Sequence, residues 1–148
     1  MSKGRPLLRH DTAGTLRSFF HYERSLTIAC AAWTPGVKRL EAKELLARTA
    51  WEGSLTAGAL RERVFELRYP ERDLLSGIDT VVVELFASVI HAPGAGAFLT
   101  AVGEVVVPAL LDAYNAYLEA SDVVADGPTR RFLDVARREK MLQRDAFV

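Results

Sequence analysis

Four glutamates stand in or beside helical stripes that are otherwise apolar, and they are the residues of this chain best suited to chemistry. Glu23 interrupts Leu16, Phe20, Thr27 and Cys30. Glu104 interrupts Ala97, Ala101, Pro108, Leu111 and Leu118, and Glu139 interrupts Phe132, Val135, Leu142 and Ala146. Each set recurs at the three- and four-residue spacing of one helix face. Glu52 lies at the edge of a fourth stripe, between Trp51 and Gly53. An ionised carboxylate inside a protein requires a cation, hydrogen-bond donors or a proton, because desolvation otherwise costs several kcal/mol. Carboxylates on four helices suggest a shared cation. The alternative is that each pairs with an arginine, such as Arg17, Arg24, Arg48 or Arg138, or escapes to the end of the bundle.

The elements that must position these residues read as long helices separated by short breaks, the layout of an antiparallel bundle. Asp11 or Thr12 can cap a first helix that runs to Trp33, where Thr34, Pro35 and Gly36 interrupt it. A second helix is expected over 37–68, ending before Tyr69 and Pro70, with a seam of Leu46, Ala50, Gly53, Ala57, Leu60, Val64 and Leu67. The small members at its middle allow a neighbour to come close. Ser76 and Asp79 have capping-box spacing ahead of a third helix over 80–90. The run Val81, Val82, Val83 also suits a strand. Helix is preferred because the apolar run continues through Ile90 and no second strand candidate exists to pair with it.

A fourth long helix over 97–120 contains Pro108, whose ring cannot tolerate the carbonyl four residues earlier, so the helix should bend or open at Glu104. Asp126, Gly127 and Pro128 start a last helix reaching about residue 145. The fold expected is therefore all-α: four long core helices and one shorter helix in a single domain over 1–148, with 1–10 flexible.

Composition agrees with one globular core. The chain has 148 residues, 49% hydrophobic and 26% charged, and its 19 basic and 19 acidic side chains give no net charge. A balanced charge argues against a protein built to hold a polyanion. Cys30, the one cysteine, has no internal disulfide partner, and a reducing cytoplasm is expected. The N-terminal residues lack the apolar core of a signal peptide, and Glu84, Glu104, Pro93 and Pro108 break the later apolar stretches, so no membrane partner is expected.

Helix order and spacing, with Glu23 and Glu52 about thirty residues apart and Glu104 and Glu139 about thirty-five, resemble the ferritin-like carboxylate bundles. The text around Trp51 to Arg68 and around Asp126 to Glu139 is also similar to ferritin-like enzymes. The resemblance implies a bundle with a site for two iron or manganese ions, held by lone glutamates from two helices and Glu-x-x-His from the other two. Here Leu55 and Leu142 stand where the histidines belong, and Thr56 and Gln143, one position further, offer only weaker oxygen ligands. His10, His21 and His91 do not replace them. Glu84, Ser88 and His91 share a face that reads as a helix-end polar patch, with Glu84 a minor candidate for the third carboxylate.

Other catalytic signatures are absent: there is no Gly-rich phosphate loop, no cysteine pair and no nucleophile elbow. Arg130, Arg131, Arg137, Arg138 and Arg144 make a ridge along the last helix, either a solvated face or a docking surface for an acidic partner. Three functional expectations follow. The first is a ferritin-like protein with a degenerate metal site and no cofactor, serving as a binding or assembly module, as a homo-oligomer or as an accessory to another protein. The second is a di-iron or di-manganese oxidoreductase using Glu23, Glu52, Glu104 and Glu139. Nucleic-acid binding through the arginine ridge is third.

Overall fold

The structure, a computed structural model, describes residues 9–67 and 79–147, with side chains from Thr12 onward. Most of the segment expected to be flexible, and with it Tyr69, Pro70 and Ser76, lies outside the described residues. The elements are α1 (Arg9–Trp33), a 3-10 turn (Thr34–Gly36), α2 (Leu40–Glu66), α3 (Thr80–Ile90), α4 (Ala95–Ala101), a π turn (Val102–Val106), α5 (Val107–Ala120) and α6 (Gly127–Ala146). The protein is all-helical, and among the described residues there is no strand.

Helices α1 and α2 form an antiparallel hairpin. At its turn Thr34 Oγ1 donates to the Cys30 carbonyl at 2.8 Å, and Lys43 Nζ donates to the Thr34 carbonyl at 2.9 Å. The α2 seam lies where its spacing predicts, with Leu46, Gly53, Ala57, Leu60 and Val64 buried. Gly53 is required there for close approach. A Cβ at this position would stand 2.6 Å from Thr27 Oγ1 and 3.2 Å from Glu23 Oε2.

Helix α3 keeps its expected bounds, but the capping oxygen is that of Asp79 itself, which accepts from the Val81 amide at 2.9 Å. The valine run is helical. Phe86 meets Tyr22 of α1 edge-on with ring centroids 5.2 Å apart. The end of α3 is tied to the hairpin by Trp33, whose indole donates to the Ile90 carbonyl at 2.9 Å and stacks on Phe98 at 5.0 Å.

The fourth expected helix is a rod over Ala95–Ala120 in three parts. Pro108 has no amide hydrogen to offer the Glu104 carbonyl, and the helix opens there as expected: the Val107 amide reaches five residues back to the Val102 carbonyl. The wider turn shifts the phase of the helix. Phe98, Val102, Val106, Leu110 and Tyr114 are buried, while Ala97 and Glu104 are exposed. Among the described residues this rod is the one helix long and apolar enough to cross a membrane by length and composition. The core helix of a globular protein meets the same criterion, and the inner row of this rod is buried within the protein although 39% of its apolar stretch is buried in all.

Helix α6 packs antiparallel to both α2 and α5, and its inner row is displaced by one residue from the expected one. Thr129, Leu133, Ala136, Lys140 and Gln143 face inward. Val135 and Leu142, read as inner residues, are 51% and 71% exposed. One end of α6 is fastened by a polar cluster. Arg63 Nε donates to Thr129 Oγ1 at 2.8 Å, its guanidinium pairs with Asp126 at 3.4 Å, and the Tyr117 hydroxyl donates to Asp126.

Candidate functional site

Glu23, near the middle of α1, is the most deeply buried carboxylate among the described residues. The faces of α1 and α2 that flank it are apolar or small, so its charge must be matched by side chains from other helices. Its side chain is fully buried; Oε1 accepts a hydrogen bond from the Tyr114 hydroxyl of α5 at 2.6 Å, and Oε2 lies 3.1 Å from Lys140 Nζ of α6. Lys140 is 1% exposed on its side chain. Its ammonium also donates to Gln143 Oε1 at 3.1 Å, and its contact with Glu23 Oε2 is an ion pair at the same distance.

The network continues outward. Gln143 Nε2 donates to Glu52 Oε2 at 3.4 Å, and Glu52 Oε1 stands 3.4 Å from Nε of the exposed Arg48. Glu139 adjoins the same pair. Partial burial, and then the negative charge and hydrogen bond of Glu52, push its carboxyl up to about 7 against the opposing pull of Lys140. Lys140 pairs with Glu23 and Arg48 with Glu52, while Glu139, with its carboxyl raised to about 7, is only partly charged around neutral pH.

The neighbours bear the mark of this cluster. The Tyr114 phenol is held well above its ordinary range by burial and by the charge of Glu23, so it acts as a hydrogen-bond donor. Burial pushes the Cys30 thiol up to about 12, which keeps it protonated and unreactive.

Three of the four predicted glutamates therefore come together, Glu23 fully buried and Glu52 and Glu139 at the outer edge. Glu104 does not join them. It lies exposed on the outer side of the rod, because the π turn inserts the phase shift that a uniform helical stripe omits. Glu84, Ser88 and His91 are all exposed, and His21 lies on a different face of α1 from Glu23.

Lys140, the cation of the site, is the residue the sequence stripes miss. Only Leu133 and Ala136 are apolar on its row, while the neighbouring row holds Phe132, Val135 and Leu142. The signal available was chemical: grouped buried carboxylates demand a cation. Among the described residues no three His, Cys, Asp or Glu side chains are grouped as ligands for one ion. The cation that faces Glu23 is the ammonium of Lys140.

The arginine ridge is subdivided. Arg130 donates to Ser121 Oγ at 2.6 Å; Arg137 and Arg138 pair with Asp134 at 3.1 Å and 2.9 Å, and Arg144 with Asp145 at 3.4 Å. Arg131 instead borders an open cleft of about 740 Å³ between α2 and α6, walled by Leu55, Phe132 and Val135, with Glu139 lining it.

The raised Glu139 carboxyl has a measurable consequence. Its folded value of about 7 lies above the ordinary 4.5, so the folded protein retains a proton that the unfolded chain releases. The stability this group contributes is complete below about pH 4.5 and is lost as pH rises through about 7. Glu139→Gln should flatten that slope, matching the parent near pH 4 and exceeding it near pH 8 in urea unfolding, with a change of slope below the ~1.4 kcal/mol per pH unit that one proton contributes at most. Parallel pH profiles for parent and variant would contradict this.

No protein-family model, curated protein or solved structure significantly matches the chain.

Proposed function

We propose that the chain is a cytoplasmic ferritin-like bundle with a degenerate metal site, in which the ammonium of Lys140 stands where a metal cation would, and that it serves as a binding, assembly or accessory module. The reading is carried by one observation: Lys140 Nζ lies 3.1 Å from Glu23 Oε2, with side-chain exposures of 1% and 0%. The antiparallel contacts of α1 with α2, α2 with α6, α6 with α5 and α5 with α1 support a ring of four core helices. An assembly role is supported by the apolar side chains left exposed beside the α2–α6 cleft, Trp51, Leu55, Val135 and Leu142.

A second reading, a di-iron or di-manganese oxidoreductase, is favoured by the meeting of Glu52 and Glu139, since neighbouring carboxylates that share a proton can exchange it for a divalent ion. Metal analysis of protein expressed in iron- and manganese-supplemented medium separates the two. The degenerate site predicts no stoichiometric metal in the parent. Stoichiometric metal that is retained in Glu104→Ala, whose carboxylate is exposed, and lost in Glu23→Ala would overturn it in favour of the enzyme.

A further inference from the structure

We infer that the outer face of α2 and α6 is where a second copy of this chain docks, running antiparallel about a two-fold axis beside Leu55. The inference rests on the assembly role proposed above and names its partner. On α2, Arg48, Trp51, Leu55, Gly58 and Glu62 recur at alternating steps of three and four and are all exposed. One stripe of the helix thus faces outward with apolar and small members between opposite charges. Trp51 is 64% and Leu55 56% exposed. Gly58 is as informative as the tryptophan. A glycine inside a helix costs about 1 kcal/mol relative to alanine, yet a Cβ here would meet no atom within 4 Å, so nothing inside the protein requires it. A close approach from outside supplies the reason.

The occupant follows from symmetry. A copy facing its twin about Leu55 sets Arg48 opposite Glu62, each seven residues from the axis, and does so twice in one interface. Trp51 of each copy then covers Gly58 and Ala59 of the other, a large side chain over small ones. Arg48 keeps guanidinium N–H groups beyond the Nε that stands near Glu52. Glu66, eleven residues out and opposite Glu44, is already engaged by Arg63. The same axis serves α6. Arg63 meets Thr129 and Gln143 meets Glu52, so Leu55 lies level with Arg138 and Glu139. Rotation about that level sets Val135 against Leu142 of the second copy and brings Arg131 within one residue of Asp145, all four exposed. Arg138, nearest the axis, is held by its own Asp134 at 2.9 Å. Both helices therefore match themselves in one register, which a self-complementary contact demands and an unrelated partner does not.

Sedimentation of the full chain over a range of concentrations tests this. Reversible dimerisation with a Kd on the order of 10 µM is expected, weakening as salt screens the arginine pairs. Trp51→Glu should weaken it about thirtyfold or more, the loss of a central tryptophan anchor. Arg48→Glu and Glu62→Arg should each weaken it about tenfold when alone, because each sets like charges opposite one another. Mixed in equal amounts they should associate about as tightly as the parent, since the mixed pair restores opposite charges at both contacts. A parent that stays monomeric at about 100 µM, far above the expected Kd, would overturn the inference and leave the face to a different protein. So would a dimer untouched by Trp51→Glu, or folded charge variants that bind no better mixed than alone. Should a charge variant fail to fold, the Trp51→Glu result decides. A monomeric parent would leave the reading of Lys140 as the resident cation standing, because that reading is tested by metal content and not by association.

Discussion

Replacing Lys140 with alanine is expected to destabilise the protein by about 3–5 kcal/mol, the loss seen when one partner of a buried ion pair is removed and the other stays charged. The partner here is Glu23, whose side chain is 0% exposed and would be left with only the Tyr114 hydroxyl. Domains of this kind hold roughly 5–15 kcal/mol in all, so the variant approaches the limit of folding. Its midpoint of thermal unfolding should fall by roughly 6–20 °C.

The effect belongs to the pair and not to the lysine alone. Lys140→Met combined with Glu23→Gln should recover most of the loss, because the neutral amide still accepts from Tyr114 and the buried charge is gone. Thermal and urea unfolding of the single and double variants make the comparison. A Lys140→Ala protein within about 1 kcal/mol of the parent would show that the ammonium does not compensate Glu23, and the reading of Lys140 as the resident cation would fall with it.

Gly53→Val is expected to have the next largest effect, a loss of about 3 kcal/mol, the upper end of the range for overpacked cores. The first added carbon already meets Thr27 Oγ1 at 2.6 Å and Glu23 Oε2 at 3.2 Å. The two further carbons of valine need the space of the carboxylate itself, so steric strain between α1 and α2 would also disturb the contacts of Glu23 with Lys140 and Tyr114. Gly53→Ala makes a useful comparison. Its one added carbon still meets both Thr27 Oγ1 and Glu23 Oε2, so the gain of about 1 kcal/mol in helix propensity offsets only part of the clash and its stability should fall between those of the parent and the valine variant. Denaturant titration of both variants reads the difference, and a valine variant as stable as the alanine one would show that the hairpin can spread at no cost.

The stripe on α1 and the seam on α2 were legible in the sequence because those faces are apolar or small and each lies on an uninterrupted helix. The bounds of α3 were legible because its apolar run continues to Ile90 without a polar alternation and has no strand to pair with, whereas the capping role of Asp79 itself was not, since its spacing makes it the second member of a box with Ser76. Helix α6 was misread by one residue. A stripe chosen by hydrophobicity follows Phe132, Val135 and Leu142, whereas the row turned inward is the one that brings an ammonium to Glu23. That preference is set by a residue more than a hundred positions earlier, and no local pattern on α6 contains it. Glu104 was placed inward for a different reason. The stripe through Ala97, Ala101 and Leu111 assumes a constant helical period, and the π turn breaks it. Pro108 correctly marked where the helix opens, but not by how much the phase changes.

That opening separates the rod into two segments with independent registers. Before it, Phe98 is committed to Trp33 at the turn end of the hairpin; after it, Tyr114 and Tyr117 are committed to Glu23 and Asp126. In a continuous α-helix, an insertion or deletion near one end rotates every residue beyond it by about 100°. A turn that already accommodates one extra residue can absorb such a change locally. The aromatic anchor at one end can therefore drift in evolution without turning the tyrosines at the other away from the carboxylates they hold.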